Sequence, residues 1–216
     1  GTVVLAGDFT PSDLTATNFS SAYGVALALA RPMWDSPLNL AAIGDGRAVL
    51  QGLLNTEVNY LAPTLGVGAG NTYRVAGGPN SSFVFGGSDN VLTGNARLEV
   101  GLERNNWLGG PQTGATGNVV IRNSNNFTGG TTIFKGTWLT IETGAATGGS
   151  TPLGTGVVEV FGNLQLSSDP LAYNGSASFL NAATGANANS FILRPGGQII
   201  INDQFGSVVG GEGRWD

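Results

Sequence analysis

Acidic side chains that could serve as general acids or bases occur in two parts of the chain. Glu99, Glu103 and Arg104 lie close together in sequence, and Glu142 and Glu159 follow further on. Enzymes that cleave polysaccharides need paired carboxyl groups, commonly with a cation beside them. These residues are therefore the candidates for such a site. The alternative interpretation, which we favour, is that they are solvated side chains on outward faces.

The rest of the composition removes most other catalytic groups. The chain has no cysteine and no histidine, and Lys135 is its single lysine. Thiol nucleophiles, thiolate metal sites and disulfides are excluded, and so is the imidazole that most often transfers protons. The sequence therefore predicts a protein that is not an enzyme, with no catalytic residues, no cofactor and no metal.

Two glycine-rich segments have a weak likeness to ligand-binding loops. Residues 86–92 resemble one copy of a calcium-binding nonapeptide, but such sites need consecutive copies. Residues 66–70 alternate glycine with small residues, but the Gly-Lys-Ser/Thr of a phosphate-binding loop does not follow. Both segments are interpreted as turns.

Charge and hydrophobicity limit the partners. Fourteen acidic and nine scattered basic residues give a net charge of −5, so no basic stripe is available for nucleic acid. The longest apolar run, residues 23–30, is too short to span a bilayer. Glycine contributes 36 of the 216 residues without a three-residue period, which suits many tight turns between short strands.

Short strands and glycine corners recur in the second half of the chain. Residues 131–141 turn at Gly136 and residues 157–166 turn at Gly162, 26 residues later. A unit of this length indicates a solenoid of parallel strands, whereas antiparallel hairpins would not favour the repeat. The pattern recurs at residues 191–201, with an insertion predicted at residues 167–187. At about 25 residues per coil, one domain of residues 1–216 would form roughly eight or nine coils.

Alternation within these strands predicts the direction of each side chain. The side chains predicted to point inward are Leu139, Ile141, Val158, Val160, Leu164 and Leu166. Those predicted to point outward are Trp138, Thr140, Glu159 and Gln165. Residues 1–45 are less regular. Leu27 and Leu29 alternate with alanines, which fits a strand or a short helix, and we favour the strand.

Four tryptophans are candidates for exposed contacts with a glycan or another subunit: Trp34, Trp107, Trp138 and Trp215. Alternation places Trp138 outward, and the other three occur in turn-like contexts. The alternative is that these rings partly cover the coil. Asn123, Asn125 and Asn126 are predicted to cap a corner by bonding turn backbone.

Ordered motifs between residues 117 and 166 resemble a known repeat. Asn-Val-Val-Ile at residues 118–121 precedes Asn-Phe-Thr-Gly-Gly-Thr-Thr at 126–132, and Leu-Gly-Thr-Gly follows at 153–156. This segment resembles the autotransporter-associated β-strand repeat of bacterial passenger domains and large secreted surface proteins. The resemblance implies an all-β fold, a right-handed parallel β-helix, secretion to the cell exterior and a role in surface structure or adhesion. It implies no catalytic residues.

The first residues suggest how copies would associate. Val3, Val4 and Leu5 form a β-rich segment that could pair with another copy, by end-to-end stacking or by strand donation. We therefore expect a homo-oligomer or homopolymer in a surface layer, sheath or filament of the bacterial cell surface. The alternative functions are a carbohydrate-active β-helix, either a polysaccharide lyase or a hydrolase, and a glycan-binding module.

Overall fold

The computed structural model describes residues 2–5, 26–101, 117–142, 151–167, 189–202, 207–210 and 213–215. The first ten strands are β1 (Thr2–Leu5), β2 (Ala26–Leu29), β3 (Met33–Trp34), β4 (Leu38–Asn39), β5 (Val49–Gly52), β6 (Glu57–Tyr60), β7 (Leu65–Gly66), β8 (Thr72–Ala76), β9 (Ser82–Phe85) and β10 (Arg97–Val100). The other nine are β11 (Asn118–Ile121), β12 (Thr131–Ile133), β13 (Trp138–Glu142), β14 (Gly156–Val160), β15 (Asn163–Ser167), β16 (Asn189–Leu193), β17 (Gln198–Asn202), β18 (Ser207–Gly210) and β19 (Gly213–Trp215). A short 3-10 helix spans Leu40–Ala42.

The strands form two large sheets. Sheet A has the order β1-β2-β5-β8-β10-β12-β14-β16-β19, and sheet B has the order β18-β17-β15-β13-β11-β9-β6-β3. From β8 to β17 the chain alternates between them, and β4 pairs with β7 in a small third sheet. Pairing is parallel throughout, except where β19 and β18 run antiparallel to β16 and β17. The fold is therefore all-β with parallel sheets, as predicted, and is consistent with a parallel β-helix.

Sheet register confirms the predicted packing between neighbouring strands. Leu139 pairs with Leu164 and Ile141 pairs with Leu166, 25 residues further along the chain. Leu139 and Leu164 are fully buried, and Val158 and Val160 are buried in sheet A. Thr140 differs from the expectation: it lies on the outward side with Trp138 but is buried, and its Oγ1 donates to Asn118 Oδ1 at 2.9 Å.

The two corner glycines are not structurally equivalent. Ile133 pairs with Val160 and Trp138 pairs with Asn163, so four residues turn the first corner and only two turn the second. Gly136 has a φ of +78° within the longer turn. Gly162 aligns with Thr137 instead, and a Cβ on Gly162 would lie 2.3 Å from the Phe134 carbonyl oxygen. Gly136 is therefore suited to its position because its backbone has a positive φ, whereas Gly162 is suited to its position because a side chain there would collide with the backbone of the neighbouring turn.

Residues 26–29 form a strand, which confirms the favoured interpretation. All four side chains of β2 are buried, and β2 lies between β1 and β5 in parallel register. Both faces of β2 are therefore buried. This explains why alanine occupies the positions between the leucines, which would carry polar side chains if one face were in contact with solvent.

The segment between β15 and β16 has the position of the predicted insertion. Leu164 pairs with Ile199, 35 residues on, so the ladder continues in register across a longer connection. Residues 168–188 lie outside the described residues.

Within the part of the chain that is described, no helix is long and apolar enough to cross a membrane.

An aromatic cluster fills the core beneath sheet B. The rings of Phe83 and Phe85 lie 5.2 Å apart, and Tyr60 lies 5.9 Å from Phe85. The Tyr60 hydroxyl donates to the Thr64 carbonyl at 2.8 Å and accepts from the Leu38 N–H at 3.0 Å. Burial raises the pKa of Tyr60 from 10.0 to about 12, although the bond from Leu38 acts in the opposite direction.

We expect this tyrosine to make the fold sensitive to alkaline pH. Because the folded-state pKa is raised, its contribution is fully present below pH 10 and is lost as the pH rises from 10.0 to about 12. Roughly 2–3 kcal/mol of unfolding free energy should disappear over this interval. Urea melts at several pH values measure the loss, and Tyr60→Phe should show much less of it. Equal slopes for the two proteins would contradict this assignment.

Candidate functional site on the outer faces of the sheets

The outer face of sheet A carries a cross-strand ion-pair cluster. Arg74 on β8 and Glu99 on β10 are register partners, and Arg97 lies two residues before Glu99 on the same face. The Glu99 carboxylate contacts Arg74 Nε at 3.1 Å and Arg97 Nη2 at 2.8 Å, and its side chain is 16% exposed. Glu99 therefore joins two neighbouring strands.

Glu159 forms a similar cluster further along the sheet. Its carboxylate pairs with Arg194, at the end of neighbouring β16. The Arg194 guanidinium also lies 5.7 Å from the centre of the Phe161 ring, a cation–π distance. Thr132 on β12 separates Glu99 from Glu159 in the ladder, so their backbones are roughly 10 Å apart.

The structure does not bring Glu142 and Glu159 together. Glu142 lies at the end of β13 in sheet B and pairs with Arg122 at 2.8 Å, whereas Glu159 lies in sheet A. Glu103 and Arg104 lie outside the described residues. Among the residues that are described, no group of three or more acidic side chains could hold a metal ion. The three described candidates, Glu99, Glu142 and Glu159, are thus each placed beside an arginine, an arrangement typical of cross-strand pairing.

A shallow cavity lies beside the sheet A charges. Arg97, Gly130, Val157 and Glu159 contribute to its lining, and its volume is about 150 Å³. Pockets for drug-sized ligands are commonly about 300–1,000 Å³. The cavity is therefore small, and its two charged residues already have partners in Glu99 and Arg194.

Trp138 is exposed on sheet B, as predicted. Its side chain is 39% exposed at the start of β13. Its register partners are Asn118 on β11 and Asn163 on β15, and Gln198 on β17 follows Asn163 in the same ladder. Sequence analysis did not identify these carboxamides. Aligning the repeats on Leu139 and Leu164 would have placed Asn163 beside Trp138.

Trp34 was wrongly assigned to the surface. It is 4% exposed, and its Nε1 donates to the Ser36 carbonyl at 2.6 Å. Trp34 pairs with Tyr60, and the preceding residue Met33 points outward with 67% exposure. Alternation within the two-residue strand β3 therefore turns the tryptophan into the core.

The two other tryptophan candidates have less structural description. Trp107 lies outside the described residues. The backbone of Trp215 belongs to β19 and pairs with Phe191, whereas its side chain lies outside the described part of the structure. Among the four tryptophan candidates, Trp138 is thus the one for which the described part of the structure contains an exposed ring.

The self-association candidates form an edge strand. Val3, Val4 and Leu5 belong to β1, which pairs with β2 and stands at one edge of sheet A. Val4 is 42% exposed, and the side chains of Val3 and Leu5 lie outside the described part of the structure. Association through this strand stays a prediction.

Two of the three asparagines predicted to cap a corner, Asn123 and Asn125, are buried and join successive segments there, whereas Asn126 is exposed. Asn125 Oδ1 accepts from the Leu92 N–H at 3.0 Å, and its Nδ2 donates to the Pro152 carbonyl at 3.0 Å. Asn123 Nδ2 donates to the Ser88 carbonyl at 2.5 Å. These side chains add to the backbone bonds between the same segments where the chain turns between sheets.

Both glycine-rich segments contain turns. In residues 86–92 the Asp89 carboxylate accepts from the Ser124 N–H at 2.9 Å, and Asn90 has a φ of +60°. In residues 66–70 Gly68 donates its N–H to the Thr72 carbonyl at 2.9 Å. The Asp89 bond joins its segment to the neighbouring one, whereas the Gly68 bond closes a local turn.

Comparison with known proteins does not assign the chain to a family. A scan against protein-family models, a search of curated proteins and a search of solved structures each found no match.

Proposed function

We propose that this chain is a non-enzymatic, extracellular structural or adhesive protein of a bacterial surface, built as a right-handed parallel β-helix. The observation that supports it is the run of eight mutually parallel strands in sheet A, from β1 to β16, matched by a parallel sheet B. Eight or nine coils at roughly 4.8 Å each would give a rod about 40 Å long. The resemblance to the autotransporter-associated repeat supports the extracellular location.

The distribution of charge also favours a structural role. Glu99, Glu142 and Glu159 each contact an arginine on a neighbouring strand or its adjoining turn. A glycosidase needs one carboxyl group that protonates the leaving oxygen and a second that activates water or attacks the sugar. Carboxylates that already accept guanidinium hydrogen bonds are better suited to joining strands than to this chemistry.

Self-assembly into a layer, sheath or filament is the form we propose for this role. Among the described strands none pairs with the outer edge of β1, whose backbone N–H and C=O groups would then pair with a strand of another copy. Contact between unlike edges of two copies is heterologous and need not close, so it would propagate as a fibre.

The edge strand provides the test. The purified chain is expected to sediment as oligomers that grow with concentration and to form fibres or sheets in electron micrographs. Val4→Lys places a charge on the edge strand, a device that opposes edge pairing, and should shift the population to monomer. Val157→Lys is the matched control because both valines are 42% exposed and Val157 lies on the interior strand β14. A monomeric wild-type chain at high concentration would overturn the assembly proposal.

A further inference from the structure

The outer face of sheet B carries the Arg122–Glu142 ion pair at one end of β13 and a largely uncharged ladder at the other. The described outward side chains of sheet A include the ion pairs of Glu99 and Glu159 with arginines. The outward ladder of sheet B through Trp138 is formed by Glu57, Ser82, Asn118, Trp138, Asn163 and Gln198. From β9 to β17 this ladder contains hydroxyl, carboxamide and indole groups, without a charge among the described residues.

This ladder is at least partly exposed from β9 to β17, most of all at Trp138 on β13 and Gln198 on β17. In the neighbouring ladder Val84 and Val120 are buried although they point outward, whereas Gln165 and Ile200, further along the same ladder, are partly exposed. Trp138 is 39% exposed and Gln198 is exposed. The open surface is therefore one exposed indole bordered by amides on adjacent strands.

Carboxamides on this surface retain hydrogen-bonding capacity. Asn118 Oδ1 accepts from Thr140 Oγ1 at 2.9 Å, which leaves its Nδ2 group to act as a donor. Asn163 Nδ2 makes a 3.4 Å contact with the Thr137 carbonyl, which leaves Oδ1 as an acceptor. Each amide thus offers donors or acceptors without a formal charge.

We propose that this surface, centred on Trp138, binds a neutral polysaccharide. The apolar face of a hexose ring packs on an indole, and sugar hydroxyls both donate to and accept from carboxamides. Rungs of the ladder are about 4.8 Å apart, which is close to the repeat of an extended hexose chain. A polysaccharide lying across β13, β15 and β17 would meet Trp138, Asn163 and Gln198 in turn.

The chemistry of the ladder selects this ligand over other partners. An acidic polysaccharide requires cations, and the described members of this ladder from β9 to β17 include none. A protein interface requires a larger apolar centre than one indole beside amides. The inference rests on the proposed extracellular role, since there the chain would meet polysaccharide, but it does not depend on self-assembly.

Retention of the purified protein in gels that contain soluble polysaccharide tests the inference. The probes are a neutral β-glucan and a neutral mannan, with polygalacturonate as the acidic comparison. We expect retention by at least one neutral polymer, a tenfold or greater weakening in Trp138→Ala and a smaller loss in Trp138→Phe. Asn163→Ala should weaken retention, and Val157→Ala, an exposed change on sheet A, should leave it unchanged. Circular dichroism melts identify variants that fail to fold. If Trp138→Ala fails to fold, the retention of Trp138→Phe and Asn163→Ala provides the test.

Four outcomes would overturn the inference: no retention of the wild type, retention by polygalacturonate alone, retention that Trp138→Ala leaves intact, and retention lost equally in Val157→Ala. Sedimentation of the same variants separates this result from the assembly proposal. If Trp138→Ala abolishes self-association while the wild type binds no neutral polymer, the surface contacts a second copy instead. If the wild type is monomeric but Trp138-dependent retention persists, only the assembly proposal fails.

Discussion

Asn125→Leu is expected to lower the free energy of unfolding by roughly 2–5 kcal/mol. The leucine side chain has the same branching and the same number of heavy atoms but can neither accept from the Leu92 N–H nor donate to the Pro152 carbonyl, both of which Asn125 contacts at 3.0 Å. Asn125 is 1% exposed, so water cannot readily replace these bonds. Each buried backbone group left unpaired costs about 1–3 kcal/mol. Urea denaturation followed by circular dichroism measures the change.

The neighbouring residue supplies the control. Asn126 is exposed, so Asn126→Leu should change stability by about 0.5 kcal/mol or less. Similar losses at both positions would show that the Asn125 side chain does not join the segments at this corner.

Leu139→Ala and Leu164→Ala are each expected to cost roughly 2–5 kcal/mol. The two side chains are fully buried register partners on β13 and β15, so either truncation leaves a cavity between coils. The double variant should lose less than the sum of the two single losses, because the two truncations enlarge one shared cavity. The same urea melts provide both values.

Gln165→Ala separates core packing from a general effect of substitution. Gln165 follows Leu164 on β15 but points outward and is partly exposed, so its truncation should cost under about 0.5 kcal/mol. Equal losses at Leu164 and Gln165 would reverse the assigned facing of β15.

Alternation was sufficient to predict much of the fold. Leu139 and Leu164 are separated by one repeat of 25 residues, and the residues that flank each of them were predicted to point outward. The alternation within a strand and the repeat between strands therefore predicted the same buried position for both leucines. The prediction of β2 as a strand depended on the β character of the remaining chain, because alternating alanine and leucine do not distinguish the two structures.

Other features depend on register and could not be read from one strand. Thr140 is buried because neighbouring strands place Asn118 within hydrogen-bonding distance. Thr131 aligns with Leu98 and Val158, and its buried Oγ1 has no hydrogen-bond partner within the described residues. Trp34 was assigned by its turn-like neighbours, but a two-residue strand opposite Tyr60 decides its direction.

The candidate chemical groups were only partly predictable. The sequence identified Glu99, Glu142 and Glu159, but each also pairs with an arginine 20–35 residues away, and only Arg97, two residues before Glu99, is a local partner. Likewise Trp138 was predicted to be exposed, whereas the amides beside it became evident only from the ladder register. The alternation within a strand predicts whether a side chain points inward or outward, whereas the neighbouring strands determine which groups it contacts.

The order of strands within each sheet has a consequence for how the chain folds. Each strand of sheet A pairs only with the strands immediately before and after it in that sheet's sequence order, as from β8 to β10 to β12. Contacts therefore join segments a few tens of residues apart, and no pairing within the parallel stack has to wait for distant parts of the chain to meet. Such a topology allows folding to begin at any well-packed group of neighbouring strands and to spread in both directions. Amide hydrogen exchange should accordingly be slowest around the Leu139–Leu164 pair and faster towards each end of the stack, as local openings enter from the outermost strands.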